Sequence, residues 1–527
     1  MTVTETIYLD YAATTPVDPR VAAQMAECLC ANGEFGNPAS THGFGRSAKA
    51  RVESARALAA ALIGARPSDL VFTSGATEAN NLAILGFLRG LAAMTGVAAA
   101  LPPAARARHV ITARSEHKAV LDPCRQLERE GCRVTYLTPE DAGRVSPDQL
   151  RRALQADTVL VSLMHANNET GAIQDISAFA ALCRAHGAAL HVDAAQSAGK
   201  MPIDVQTMGV DLMSFTAHKL YGPKGIGALY VRPERRMSVQ PLMFGGGHER
   251  GLRSGTLPVH QIVGFGTACA LAAADLNAEP ARLALLRARL WAGLADLPDV
   301  LLNSPLSQTL PGILNVAFCG VEGESLLFGL PELALSSGSA CNSDSGEPSY
   351  VLRSLGLDRA TAQSSLRFSL GRGTTVADID RTVAAVRREV RRLRALVQPQ
   401  LQMPAPLLVP SPIPVLPLES APQLACGEAG SPEEGTWVRF MLNIQGNRVT
   451  QATHQVYGCP HTTAACAWVA RRIEGRSASD PDLGGPPEWA AALHIPLERL
   501  TRLLIIEDAL RAALAVARSS ESAGGVQ

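Results

Sequence analysis

Between about residues 50 and 265, short apolar runs alternate with longer stretches whose apolar positions recur every three to four residues. "DLVFTSG", "RHVITAR", "CRVTYLT", "TVLVSLMH" and "AALHVDAAQ" are apolar almost throughout, the pattern of strands buried on both faces. Between them, "SAKARVESARALAAALIG" and "ISAFAALCRAHG" carry the helical period. This alternation predicts an α/β fold with a mostly parallel sheet. The Ala-rich stretch "RGLAAMTGVAAALPPAARARHV" reads as a surface insertion. A second region, about 266–395, opens on one long predicted helix, "TACALAAADLNAEPARLALLRARLWAGLADL", passes through mixed strands and closes on "DIDRTVAAVRREVRRLRALV". That last helix is basic, but its apolar stripe marks the charges as a solvated face.

At 399–422 the pattern stops. "PQLQMPAPLLVPSPIPVLPLESAP" holds too much proline for helix or central strand, and it reads as an extended linker of roughly 75 Å at full polyproline length. Beyond it a strand-like start, "GTWVRFMLNIQG", and a helical end form a separate piece. The expected organisation is therefore a large domain (16–265), a small α+β domain (1–15 and 266–395), a linker (396–422) and a C-terminal α+β domain (423–520).

Composition narrows the function classes. The chain has 527 residues, enough for two or three domains. Lys+Arg and Asp+Glu both number 48, which argues against a nucleic-acid or anionic-membrane surface. With neither a spanning apolar run nor a basic-then-apolar start, the expected location is cytoplasmic. The 11 cysteines follow no disulfide pattern and are expected to be free thiols. Cys28, Cys30, Cys124, Cys132, Cys183, Cys269 and Cys319 sit among apolar or helical residues, which predicts packing roles. Cys341 is different: "SSGSACNSDS" surrounds it with small polar residues that cannot bury it.

Candidate chemistry gathers at strand ends. Lys219 follows an apolar run in "SFTAHKLYGPKGIGALYV", and a buried lysine near a carbonyl compound forms a Schiff base. "FTSGATEAN" places Gly75, Ala76 and Thr77 between a strand and a helix, where N–H groups and a hydroxyl suit a phosphate. Asp193 and Gln196 stand at the carboxyl end of a buried strand, and an acid there can hold a pyridinium nitrogen protonated. His117, in "SEHKAV", suits ring stacking and proton transfer. Each feature alone also has an ordinary structural reading; together they are specific.

In series, "GNPASTHGFGR", "TSGATEAN", "SEHKAV", "MHANNETGAIQ", "HVDAAQSAGK", "SFTAHKLYGPKGIG", "GGGHERGLRSGTLPV", "VEGES" and "SSGSAC" resemble the class V aminotransferase-like pyridoxal phosphate enzymes, and within them the cysteine desulfurases, over about residues 7–395. The resemblance implies fold-type I architecture and pyridoxal 5'-phosphate held covalently by Lys219. It implies that Asp193 pairs with the ring nitrogen, Gln196 with the ring hydroxyl, and His117 stacks and shuttles protons. Asn168 would orient ring or substrate, and Arg367 would grip the carboxylate of L-cysteine. Ala76, Thr77, Thr216 and His218 would bind phosphate, with the partner subunit's Thr256 completing that site in a homodimer. Cys341 matches the nucleophile that takes sulfur as a persulfide and releases alanine, for an acceptor or iron–sulfur scaffold protein. Asn342 departs from the family's usual Thr. Selenocysteine lyases share the cofactor motifs, and a binding protein with an inert desulfurase half is the alternative of another class; the Ser-rich loop and the intact Lys219, His117, Asp193 and Cys341 favour the desulfurase.

The C-terminal piece resembles iron–sulfur cluster scaffold proteins in "LACGEAG" and "VYGCPHTTAACAWVARRIEGRS", with Cys426, Glu428 and Cys459 at matching positions. Thr501 and Arg502 stand where that family has its His-Cys pair. The metal candidates are thus Cys426 and Cys459, with His461 or Cys466 as substitutes, although Cys466, seven residues after Cys459 on a helix, reads equally as a core residue. The expectation is a degenerate docking or sulfur-accepting module without a stable iron–sulfur cluster.

Overall fold

The apolar runs become strands in chain order: β1 (Ile7–Tyr8), β2 (Leu70–Thr73), β3 (His109–Ala113), β4 (Arg133–Leu137), β5 (Thr158–Met164), β6 (Ala189–Asp193), β7 (Leu212–Thr216) and β8 (Gly227–Val231). The computed structural model describes residues 6–94, 108–140, 143–304, 307–337, 348–397, 423–431, 436–457, 460–479, 481, 483–493, 495 and 500–523. Strands β2 to β8 form one seven-stranded sheet in the order β2-β8-β7-β6-β5-β3-β4. Pairings from β7 through β4 are parallel, and β8 runs antiparallel to both β7 and β2. Every strand except β8 therefore ends at the same edge of the sheet. One strand departs from its sequence pattern: "CRVTYLT" forms β4, which pairs only with β3 and leaves Arg133 exposed.

The chain divides by its contacts into two compact units, residues 1–319 with 332–384, and residues 320–331 with 385–527. In the first, β9 (Val300–Leu302), β10 (Ile313–Phe318), β11 (Leu333–Ala334), β12 (Ser336–Ser337) and β13 (Ser365–Ser369) follow the large sheet. Four of them form an antiparallel sheet in the order β12-β13-β10-β9, while β1 pairs with β11. The long helix expected near 266 is two helices, Val259–Asp275 and Ala278–Leu294, bent by 71°. Pro280 accounts for the break: a continuous helix would drive its ring into the carbonyl of Leu276 and remove a hydrogen bond. No single helix among the described residues is long and apolar enough to cross a membrane.

A buried ion pair ties the helix Gly43–Leu62 to the loop around Glu249. Both Arg56 terminal nitrogens reach the Glu249 carboxylate at 2.7 Å, and the Phe72 N–H donates to the same carboxylate. The guanidinium also lies 4.4 Å from the Phe72 ring centre. Cys28, Cys124, Cys183 and Cys269 are buried as expected and Cys132 and Cys319 are partly so. Cys30 is exposed, because the helix Pro19–Ala26 has ended before it and the turn carries it outward.

In the second unit, β14 (Gln423–Ser431), β15 (Thr436–Gln445) and β16 (Arg448–Tyr457) form an antiparallel sheet. Strand β15 alternates buried and half-buried positions, the sign of one covered face. The helices Pro460–Ile473, Pro486–Ala492 and Leu500–Ala523 follow. Phe440, Cys466, Val469, Trp489, Ile506 and Ala513 share the core. At Gly427 a side-chain carbon would lie 2.0 Å from the Ala513 nitrogen, so only glycine lets the last helix approach β14 this closely. Phe328, in the helix Gly323–Phe328, packs on this core, and Thr501 Oγ1 donates to Glu322 at 2.7 Å. The contact boundary thus falls inside the helix Val376–Val397, whereas residues 399–422, read as the linker, lie outside the described residues.

Candidate active site

Strands that end together bring their following loops together. A cavity of about 600 Å³ opens at that edge, lined among others by Ala76, Thr77, His117, Asn168, Asp193, Gln196, Thr216, His218, Lys219 and Arg367. The structure therefore gathers the residues singled out from five separate motifs. Thr256, Cys341, Cys426 and Cys459 are not among them. Thr256 is exposed and does not line the cavity. Cys341 and Cys459 lie outside the described residues.

Local structure explains each placement. Gly75, at φ 156°, turns the chain from β2 into the helix that starts at Ala76. Gly227 of β8 faces this turn, and a side-chain carbon there would come within 2.8 Å of Gly75 Cα. Asp193 is the last residue of β6; one carboxylate oxygen accepts from Asn80 Nδ2 at 2.7 Å and the other from Ala195 N–H at 2.9 Å. Two donors hold the carboxylate in place. His117 caps the helix Lys118–Arg129, and its Nδ1 accepts from Ala119 N–H at 3.1 Å. That bond leaves Nε2 free to carry the proton, and burial pushes the imidazole pKa down.

Lys219 lies in the short turn Ala217–Lys219 just after β7, and its amine donates to the Ala12 carbonyl. His218 Nδ1 meets Thr14 Oγ1 at 3.1 Å, and burial, with nearby Lys219, lowers its pKa to about 4. Arg367 enters from β13. Its terminal nitrogens donate to the Asn168 carbonyl at 2.8 Å and to Asp10 at 2.7 Å, while its Nε and Asn168 Oδ1 have no protein partner. Buried polar atoms without partners mark a place built for something else to bind.

Asn80, Asp10, Ala12 and Thr14 were missed as site residues, although Asn80 closes the quoted motif "FTSGATEAN". Asn80 lies three residues past Thr77, so one helix face carries both toward the sheet edge. The N-terminal residues gave no sequence signal of contact with residues 196–219 and 367.

The arrangement fits pyridoxal phosphate: an amine, a fixed carboxylate, an imidazole at the wall, a glycine turn with hydroxyls, and a guanidinium with a vacant donor share one cavity. Among the described residues of the second unit nothing comparable forms. Cys426 is exposed on β14 and His461 is exposed on its helix. Cys466 is buried in the core, with its thiol pushed up to about 12, which favours its core reading over that of a substitute ligand. Among the described residues no three His, Cys, Asp or Glu side chains gather as a metal set.

Comparison with known proteins agrees with this site. Residues 7–382 match the aminotransferase class-V family model. The chain is 56% identical over 391 residues to cysteine desulfurase IscS of Pectobacterium atrosepticum, covering 74% of this chain and 94% of that protein, and equally to its namesake in Enterobacter sp.. Among solved structures, a NifS-like protein superposes with a TM-score of 0.65 at 34% identity, covering 74% of this chain and 99% of that one. DndA from Streptomyces lividans gives 0.57 at 42% identity, covering 69% and 99%. The chain belongs to the class-V aminotransferases and, within them, to the pyridoxal phosphate-dependent cysteine desulfurases.

Proposed function

We propose that this cavity converts L-cysteine to L-alanine and leaves the sulfur as a persulfide on Cys341, for transfer to an acceptor protein in iron–sulfur cluster assembly or related sulfur transfer. The observation that carries the reading is the convergence of Lys219, His117, Asp193 and a guanidinium with a vacant donor, Arg367, on one cavity. When bound, pyridoxal phosphate supplies an electron sink for the substrate's carbon.

The chain's residues divide the remaining work. Lys219 holds the cofactor covalently; Asp193, fixed by Asn80, keeps the ring nitrogen protonated; Gln196 meets the ring hydroxyl. Ala76, Thr77, Thr216 and His218 hold the phosphate, completed by the partner subunit's Thr256 in a homodimer. Arg367 and Asn168 orient L-cysteine, the planar fork taking its carboxylate. His117, with Nδ1 committed to Ala119, moves protons through Nε2. Cys341 Sγ, as thiolate, attacks the substrate sulfur. The new S–S bond forms as the substrate's Cβ–S bond breaks, the electron pair stays with carbon, and that carbon takes a proton to give alanine.

The C-terminal unit receives this sulfur on Cys459, with Cys426 second, and holds no stable cluster. Support comes from Thr501, whose hydroxyl is engaged with Glu322 rather than offered to a metal, and from the burial of Cys466. The experiment is one mass-spectrometric series after brief exposure to L-cysteine, with alanine measured in parallel. Persulfide on Cys341 and then on Cys459 supports both parts. Alanine without persulfide on Cys341 removes the first; persulfide on Cys341 but never on Cys459 or Cys426 removes the second.

A further inference from the structure

A second lysine lies behind the site, and none of the roles above uses it. Gln196 and Lys200 sit four residues apart in the turn that follows β6. Lys200 Nζ donates to Gln196 Oε1 at 2.9 Å, and Gln196 Nε2 donates to the Ala12 carbonyl at 2.8 Å. The amide is thereby fixed from both sides. A carbonyl accepts only, so Ala12 selects the nitrogen end; an amine donates, so Lys200 selects the oxygen end. Nε2 keeps one N–H beyond the bond to Ala12, on a side chain that lines the large cavity.

Lys200 also lines, with Lys219, a separate cavity of about 60 Å³ whose other titratable or charged walls are Tyr11, Tyr221, Asp275, Glu279 and Arg372. Desolvation, with the positive charges of Lys219 and Arg367, pulls the Lys200 pKa down to about 7. A lysine kept among cations, with an amide oxygen as its partner, is costly unless that partner matters.

We infer that Lys200 is a positioning residue: it locks the Gln196 carboxamide so that the cavity meets an N–H donor and never the amide oxygen. This rests on the reading of Gln196 as the residue that meets the cofactor's ring oxygen. A donor facing that oxygen stabilises its anionic form and weakens proton binding at the neighbouring nitrogen of the lysine linkage. Without Lys200 the amide is held by Ala12 alone, and the share turned over, with its oxygen toward the cavity, rises; that oxygen repels an anion. That change favours the proton.

The test is the pH titration of the visible band of the cofactor-loaded protein, with cofactor content measured separately by alkaline release. Lys200→Met is expected to raise the titration midpoint by about one unit, a tenfold change in proton affinity. It should lower kcat about tenfold while KM stays within about threefold, and Lys200→Arg should restore most of both. Gln196→Met is expected to shift the midpoint as well, and Lys200→Met should then add little in that background, since one residue acts through the other. A silent Gln196→Met would overturn the reading of Gln196 itself. An active Gln196→Met with a silent Lys200→Met would overturn the role of Lys200, as would an undiminished Lys200→Met effect in the Gln196→Met background. If Lys200→Met yields no folded protein, the same double-variant comparison with Lys200→Gln, whose shorter side chain falls short of Gln196, decides between these outcomes.

Discussion

The two units of this chain treat polar side chains in opposite ways. In the first, charged and polar groups are carried to the end of a buried sheet and left partly unpaired: Arg367 Nε and Asn168 Oδ1 face no protein partner. In the second, the described polar groups are either exposed, as Cys426 and His461 are, or engaged, as Thr501 is with Glu322. Unpaired buried groups cost stability and are kept where a ligand will satisfy them. The contrast teaches where to look for chemistry: a motif that survives in sequence counts only if the fold also leaves its polar atoms wanting.

The largest expected effect would break the comparison outright if it failed. Lys219→Ala should abolish turnover, a loss of more than about a thousandfold, and borohydride reduction of the native protein should label Lys219 alone. A label on Lys224, which also lines the cavity, would relocate the cofactor lysine. Next, Cys341→Ala should lose persulfide formation entirely yet keep the cofactor band and its change on adding L-cysteine. Persulfide appearing on another cysteine at an unchanged rate would contradict that role.

Two core variants sharpen the separation of the units. Glu249→Ala should destabilise the first by about 3–5 kcal/mol, because it leaves the Arg56 guanidinium buried without its partner. Phe440→Ala should cost the second a similar 3–5 kcal/mol or so through a cavity. Two-wavelength denaturation, following the cofactor band and tryptophan emission, should show the cofactor transition move with Glu249→Ala. It should stay in place with Phe440→Ala.

The smallest effect concerns Glu169. Burial raises its pKa to about 7, and Ser349 Oγ donates to it. The folded state therefore binds its proton more tightly than the unfolded chain does. Its contribution to stability is fully present below the ordinary carboxyl pKa and is lost as pH rises through about 7. Glu169→Gln should flatten the melting temperature between pH 5 and 8 by a few degrees relative to the native protein, as a melt at each pH would show.

Sequence made part of this legible, for physical reasons. Strand ends are visible because a run such as "LHVD" passes from apolar to acidic within one residue, and the parallel topology then places every such end at one edge. Asp193, Lys219 and His117 were readable on those grounds. The bend at Leu276 was overlooked although Pro280 announces it. Asn80 and Ala12 stayed hidden because their work depends on partners far along the chain: Asn80 meets Asp193, and a backbone carbonyl at 12 meets side chains at 196 and 219. In the C-terminal unit, the pattern suggested ligands but could not show that Cys466 faces the core.

Residues 10–15 have a consequence for how the protein is made. Asp10 pairs with Arg367, the Ala12 carbonyl accepts from Gln196 and Lys219, Thr14 meets His218, and Thr15 Oγ1 bonds both the His218 carbonyl and Tyr221 N–H. A ribosome releases this segment before its partners, which emerge up to 357 residues later. During synthesis the segment must wait unpaired, and the cavity wall cannot close until β13 has left the exit tunnel. Cofactor capture is thereby tied to nearly complete translation of the first unit, and a segment made well before its partners becomes the last clasp fastened.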